Sequence, residues 1–159
     1  MKKVAIIVAG GEGIRMNSAT PKQFLLLNNK PVLMHTLEKF SHLDKIILVI
    51  SRLQIPFWNE LCDTYNFMTN HTIVEGGETR FHSVKNGLNK VNNNCIVSIH
   101  DGVRPLVSKK LIDKLISATK DGIGVIPVVP IKDSIRKIKG GHSKHIERNG
   151  LCNVQTPQC

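Results

Sequence analysis

The chain has 159 residues, 41% of them hydrophobic and 21% charged, which is enough apolar mass for one folded domain with a sizeable core. No apolar run approaches the roughly 18 residues of a membrane-spanning helix, and the stretch behind Lys2-Lys3 stops at Gly10, too short for a typical signal peptide, so the expected location is the cytoplasm. The formal charge of +10 attracts anions, yet aromatics are only 4% and Phe57, Trp58 and Tyr65 have no basic neighbours, which argues against nucleic acid and leaves small phosphorylated ligands.

The first element is Val4-Ala5-Ile6-Ile7-Val8, an all-apolar run that reads as a buried strand. It feeds Ala9-Gly10-Gly11-Glu12-Gly13-Ile14-Arg15-Met16, and Pro21-Lys22-Gln23 follows six residues after Arg15. Closely spaced glycines let backbone N–H groups turn inward toward an anion, and Arg15 and Lys22 add full positive charges. The pattern is neither a P-loop, which needs Gly-Lys-Ser/Thr, nor the dinucleotide fingerprint, which needs glycine where Met16 stands. A plain turn closing a strand is the simpler reading of the glycines. Two cations at fixed distances from them favour a polyphosphate.

Further along, Asn28-Asn29-Lys30 is a turn and Pro31 opens a helix with Val32, Leu33, Thr36, Leu37 and Phe40 on one face. Residues 46–50 form a second buried strand. A helix over 56–66 carries Phe57, Leu61 and Tyr65, with Trp58 read as packing and not as a stacking platform. A third strand spans 71–74 and ends at Glu75-Gly76-Gly77. The next helix runs from about 78 to 91, with Phe81, Val84 and Leu88 inward and Gly87 weakening it. A fourth strand covers 95–99, and Ser108 caps a helix to about residue 119 with Leu111, Ile112, Leu115 and Ile116 inward. A fifth strand is expected over 122–129, closed by Pro130. Cys62 and Cys95 read as core. All four cysteines are expected to be reduced, and neither they nor the seven histidines have metal-site spacing.

Strands alternating with helices imply an α/β fold with a mostly parallel sheet flanked by helices, whose ligands bind beyond the carboxyl ends of the strands. The loops at 9–22, 75–83 and 100–105 all fall at such ends. The first offers backbone donors with Arg15 and Lys22. The second offers Gly76-Gly77, Glu78 and Ser83. The third offers Asp101, a metal or ribose ligand, and Arg104. A nucleotide and a second phosphorylated molecule would use all three. From Ile131 the chain turns basic, and Gly140-Gly141 marks a hairpin tip between 135–139 and 144–147. That segment is either a projecting β-arm or a solvated basic loop. An arm should pack on something, most simply a second subunit.

The motifs Ala9-Gly10-Gly11-x-Gly13-x-Arg15-Met16, Pro21-Lys22-Gln23, Gly76-Gly77-Glu78-x-Arg80-x-x-Ser83, His100-Asp101-x-x-Arg104-Pro105 and Gln155-Thr156-Pro157-Gln158 together resemble the 2-C-methyl-D-erythritol 4-phosphate cytidylyltransferases. The likeness spans residues 4–159 in matching order, and the ribitol-5-phosphate cytidylyltransferases share most of it. The resemblance implies a single Rossmann-like nucleotidyltransferase domain over 1–159 that continues past Cys159 in the family, with an arm over about 131–150. It implies transfer of CMP from CTP to methylerythritol phosphate with release of pyrophosphate, a need for Mg²⁺, and a homodimer formed through the arm. Arg15 and Lys22 match the catalytic cations. Ala9, Gly10, Gly11, Gly13, Gly77, Glu78, Ser83, Asp101 and Gly102 match the CTP site, with Asp101 also the candidate metal ligand. Arg104, Ser134, Arg148 and Thr156 match positions around the acceptor phosphate, some reaching across the dimer. Glu78 stands where the family often has Asp, and Ser134 where it usually has Thr. A non-catalytic CTP-binding module is the alternative of a different class.

Overall fold

A computed structural model of the chain describes residues 1–11, 20–92 and 94–159. Along the chain lie β1 (Lys2–Val8), β2 (Leu26–Leu27), β3 (Lys30–Pro31), α1 (Val32–Lys39), β4 (Lys45–Ile50), α2 (Ile55–Thr64), β5 (Thr72–Glu75), α3 (Arg80–Leu88), β6 (Cys95–Asp101), α4 (Lys109–Ala118), β7 (Val128–Pro130), β8 (Ile135–Lys139), β9 (His142–Ile146) and β10 (Cys152–Val154). Four strands pair in parallel in the order β5-β4-β1-β6. In register, Ile6 faces Ile47 on one side and Ile99 on the other. This is the expected Rossmann-like class.

The apolar runs of β1 and β4 are buried on both faces, as parallel strands between helices must be. Alternate residues point to opposite sides. Ala5, Ile7, Leu48 and Ile50 pack with Leu33, Leu37 and Phe40 of the α1 region, Trp58 of α2, and Ile112 and Ile116 of α4. Val4, Ile6, Ile47, Val49 and Val74 line the other face. Each fully buried aliphatic side chain contributes about 1.5–3 kcal/mol. Trp58 is completely buried. Its Nε1–H donates to His71 Nε2 at 3.0 Å, and His71 in turn donates from Nδ1 to the Thr69 carbonyl at 2.8 Å. It is an anchor of the core, as its sequence context indicates. Ser108 accepts the Leu111 N–H at 3.2 Å and caps α4 as expected.

The face of α3 differs from the expected one. Phe81 and Leu88 are exposed, while Ser83 and Gly87 are buried. The cause is how closely the helix lies on the sheet. A Cβ at Gly87 would come within 2.8 Å of Ile6 Cγ2 and 3.1 Å of Val49 Cγ2. Gly87 is the contact surface of α3, not a flaw in it.

The expected fifth strand is also corrected. Residues 122–129 do not join the parallel sheet as a strand. Only β7 forms there, and it pairs antiparallel with β10. The last residues take the place beside β6: Ile99 and Gln158 exchange two backbone hydrogen bonds of 2.8 and 2.9 Å, and Val125 and Cys159 exchange two of 2.7 and 2.9 Å. The β-branched residues of this stretch give it strand character, but its partner is the end of the chain. Gly140 and Gly141, with φ of 55° and 78°, make the two-residue hairpin turn that joins β8 to β9, so β9 begins at His142 instead of residue 144. Cys62 and Cys95 are partly buried at the margins of the two clusters.

Candidate active site

The carboxyl ends of adjacent strands deliver the loops to one place. Ala9 N–H continues the ladder to the Val49 carbonyl at 2.8 Å, Gly76 N–H binds the Ile50 carbonyl at 2.8 Å, and Gly102 N–H binds the Val8 carbonyl at 2.9 Å. Between the loops lies a cavity of about 420 Å³, lined by Val8, Ala9, Gly10, Gly11, Lys22, Gln23, Gly77, Glu78, Thr79, Arg80, Ser83, Asp101, Val103 and Arg104. This is where an open α/β sheet binds ligands.

The glycine loop is held from behind by Gln23, which is 1% exposed. Its Nε2 donates to the Ala9 carbonyl at 3.0 Å, the Gly11 carbonyl at 3.3 Å and Gln54 Oε1 at 2.8 Å, so two amide hydrogens are shared among three acceptors. A trans peptide is planar, so drawing the Ala9 carbonyl toward Gln23 turns Gly10 N–H the opposite way. Gln23 thereby fixes the direction of a backbone donor. The Pro21-Lys22-Gln23 motif contains this residue, but a sequence gives no sign that its amide reaches back to the loop. Lys22 lines the cavity beside it, and among the described residues no carboxylate pairs with it. Arg15 and Gly13 lie outside the described residues.

At the second loop, Ser83 Oγ accepts the Gly77 N–H at 3.1 Å and pins the turn to α3. A Cβ at Gly77 would stand 2.4 Å from His82 Cβ, so only glycine allows this turn to fold onto the first helical turn. Thr79 caps α3 by accepting the His82 N–H at 3.3 Å. The positive end of the α3 dipole therefore opens on the cavity, with Thr79 and Arg80 in its wall.

At the third loop, Asp101 sits between two guanidinium groups. Arg80 donates to Oδ1 from Nε at 3.3 Å and from Nη2 at 3.1 Å, and Arg104 Nε donates to Oδ2 at 2.9 Å. Arg104 also reaches Gln155 Oε1 at 2.6 Å. Two cations around one anion leave the wall net positive. Thr156 Oγ1 lies 3.5 Å from Asp101 N–H, which tethers the Thr-Pro-Gln segment to this loop without placing Thr156 in the cavity wall. Gly102 is packed beneath the wall, where a Cβ would meet Ala9 Cβ and Leu33 Cδ1 at 3.0 Å. Ser134 and Arg148 lie elsewhere, exposed at the base of the β8–β9 arm. Arg148 there donates to the Lys132 carbonyl.

Of the residues expected at the site, Ala9, Gly10, Gly11, Lys22, Gly77, Glu78, Ser83, Asp101 and Arg104 share the cavity wall. Among the described residues no group of three or more His, Cys, Asp or Glu side chains is gathered to hold a metal. Asp101 has a single carboxylate, both of whose oxygens accept from Arg80 and Arg104, so a hard cation would share it with them. That donor set suits Mg²⁺ brought in on a polyphosphate, which supplies most of its oxygen ligands, and does not suit a metal caged by protein alone. No helix among the described residues is long and apolar enough to cross a membrane.

The comparisons with known proteins agree with this geometry. A family model described as "IspD: 2-C-methyl-D-erythritol 4-phosphate cytidylyltransferase" matches residues 3–159. The 2-C-methyl-D-erythritol 4-phosphate cytidylyltransferase of Azobacteroides pseudotrichonymphae genomovar. CFP2 is 51% identical over 160 residues, covering 99% of this chain and 72% of the relative. That of Bacteroides fragilis is 49% identical over 161 residues, covering 99% and 74%. Among solved structures, the 4-diphosphocytidyl-2C-methyl-D-erythritol synthase of Anaerococcus prevotii DSM 20548 superposes with a TM-score of 0.77 at 31% identity, covering 99% of this chain and 68% of that one. The bifunctional IspDF of Campylobacter jejuni gives 0.81 at 28% identity, covering 99% and 40%. With its parallel sheet, its cationic cavity and these relatives, the chain belongs to the 2-C-methyl-D-erythritol 4-phosphate cytidylyltransferase family, enzymes that transfer CMP from CTP to 2-C-methyl-D-erythritol 4-phosphate in isoprenoid precursor biosynthesis.

Proposed function

We propose that the cavity between the glycine loop, the α3 N-terminus and the Asp101–Arg104 loop is where this chain joins CTP to methylerythritol phosphate. The observation that carries the reading is the wall itself: turned backbone amides, Lys22 with no carboxylate partner among the described residues, and a helix N-terminus converge on a space large enough for a nucleotide. Ala9, Gly10 and Gly11 cradle the triphosphate together with Gly13. Gly77, Glu78 and Ser83 border the cytidine, and Gly102 lets the wall pack closely beneath it. Lys22 and Arg15 face the α-phosphate. Arg104 holds the acceptor phosphate on the Asp101 side, and Thr156, tied to His100 and Asp101, steadies the segment beside it.

The chemistry needs no strong base, because the acceptor phosphate is already an anion at neutral pH, its second pKa being about 6. One of its oxygens attacks the α-phosphorus of CTP. The new P–O bond forms as the bond to the β-phosphate bridging oxygen breaks, and the electron pair leaves with pyrophosphate. Charge grows on the equatorial and bridging oxygens, where fixed cations stabilise it best. Mg²⁺, with Asp101 among its ligands, would neutralise the phosphates and screen them from the attacking anion.

The arm completes the site in a homodimer. The β8 and β9 strands bury almost nothing within their own chain, and a hairpin alone is marginal in water. A second copy gives the arm a packing partner and brings Ser134 and Arg148 to the neighbouring cavity. The enzyme works in the cytoplasm. The test is release of pyrophosphate from CTP and Mg²⁺, with methylerythritol phosphate and ribitol 5-phosphate assayed side by side. Turnover with the first alone is expected, and turnover with ribitol 5-phosphate alone would overturn the assignment.

A further inference from the structure

His100 is the last fully buried side chain of β6, and the transfer chemistry above gives it no task. It packs against the Phe40 ring with centroids 5.0 Å apart. Its two nitrogens are both engaged. Nε2 lies 3.0 Å from the Arg104 carbonyl, and Nδ1 lies 3.0 Å from Thr156 Oγ1.

A carbonyl oxygen can only accept, so Nε2 carries the hydrogen. Asp101 N–H lies against the Thr156 oxygen, which leaves the hydroxyl hydrogen for the second ring nitrogen. With one hydrogen on Nε2, Nδ1 is bare and accepts the Thr156 hydroxyl. The Thr156 oxygen then has a lone pair directed at the Asp101 N–H, 3.5 Å away. A directed chain results: Asp101 N–H to Thr156 Oγ, Thr156 O–H to His100 Nδ1, and His100 Nε2–H to the Arg104 carbonyl. Beside it, Arg104 binds both Asp101 and Gln155 through its side chain. Four residues of the third loop and the Thr-Pro-Gln segment are thus tied through one ring.

We propose that His100 is a positioning residue for the acceptor half of the site, whose ring fixes the Thr156 hydroxyl and the Arg104 main chain in one arrangement. The proposal rests on the reading that Arg104 meets the acceptor phosphate, with Thr156 steadying the segment beside it. His100 does not touch substrate. It acts by keeping the 155–158 segment against the end of β6, so the acceptor-side groups are in place before the acceptor arrives.

Two measurements on the intact chain decide it. The first is the ¹⁵N resonances of the His100 imidazole. A protonated Nε2 with a bare Nδ1 is expected, and the reverse tautomer would overturn the proposal. The second is calorimetric binding of CTP and of methylerythritol phosphate to His100→Leu and His100→Asn, with thermal melts confirming that both fold. Asn keeps an oxygen near the Nδ1 position for Thr156, and Leu keeps nothing. His100→Leu should weaken acceptor binding roughly tenfold, about the worth of one buried hydrogen bond, with CTP affinity within about twofold. His100→Asn should recover much of the loss. Equal weakening for both ligands, or for neither, would overturn the positioning role while leaving the cytidylyl-transfer reading intact. Failure of the unaltered protein to bind the acceptor would overturn that reading and the role of His100 with it.

Discussion

In β4 five of six residues are buried, whereas in β8 and β9 none is. Among the described residues, all buried members of the hydrophobic core lie between Val4 and Ile116, and the loops that line the cavity leave that frame. The region from residue 119 onward is a ribbon of short antiparallel pairs with Ile123, Ile126, Val128, Val129, Ile138, Leu151 and Val154 all exposed. Exposed apolar strands mark surfaces that meet other protein. On the proposed reading the two substrates are served differently: the side given to the nucleotide is set by the core of the chain, while the side given to the acceptor is approached by elements that find little packing within it.

The largest effect should come from Lys22→Ala. Losing the cation proposed to face the α-phosphate should cost on the order of 10³-fold in turnover, with the melting temperature unchanged, because among the described residues Lys22 belongs to neither core cluster. Steady-state rates and a thermal melt check both halves. Next is Gly87→Val, which forces a side chain into Ile6 and Val49 and should destabilise the fold by about 1–3 kcal/mol, read by urea unfolding. The same substitution at Gly124, where a Cβ would make only ordinary contact with the Cys159 carbonyl at 3.6 Å, should not show that steric cost.

Gln23→Leu should follow. It leaves the Ala9 and Gly11 carbonyls unpaired, at about 1–3 kcal/mol, and should raise the KM for CTP while leaving that for the acceptor nearly unchanged. In the other region, Ile138→Asp should shift the protein from dimer toward monomer in sedimentation with little effect on the monomer's own stability, since Ile138 is 75% exposed. A monomeric wild-type protein would remove the role given to the arm. The smallest effect separates the regions by thiol chemistry. Burial, and after it the Asp63 charge, pushes the Cys62 thiol up to about 11, so it stays protonated at pH 8. Cys152 is exposed. Iodoacetamide should label Cys152 well before Cys62, as mass spectrometry of the digested protein would show.

How legible each region was in the sequence follows the same division. Residues 46–50 announce a buried strand because both faces of a parallel strand are apolar, and Ser108 announces its helix because a cap is local chemistry. Gly140-Gly141 marks its turn for the same reason. Most wall residues from Ala9 to Arg104 were legible as motifs, since they fall at or just beyond the carboxyl ends of β1, β5 and β6. What was hidden depends on partners distant in the chain. Phe81 and Leu88 gave α3 a plausible apolar face, but Ile6 and Val49 choose Gly87 instead. Residues 122–129 have strand composition, yet their neighbour is the segment ending at Cys159. Gln23 and His100 carry ordinary side chains whose tasks exist only once Ala9, Gly11, Arg104 and Thr156 surround them.

The most direct test of the central claim is ³¹P NMR of the protein with CTP, Mg²⁺ and methylerythritol phosphate. The three CTP resonances should give way to pyrophosphate and a coupled diphosphate pair as the acceptor's monoester signal disappears. Unchanged CTP, or release of inorganic phosphate without the diphosphate pair, would contradict the claim that this cavity directs the acceptor phosphate onto the α-phosphorus.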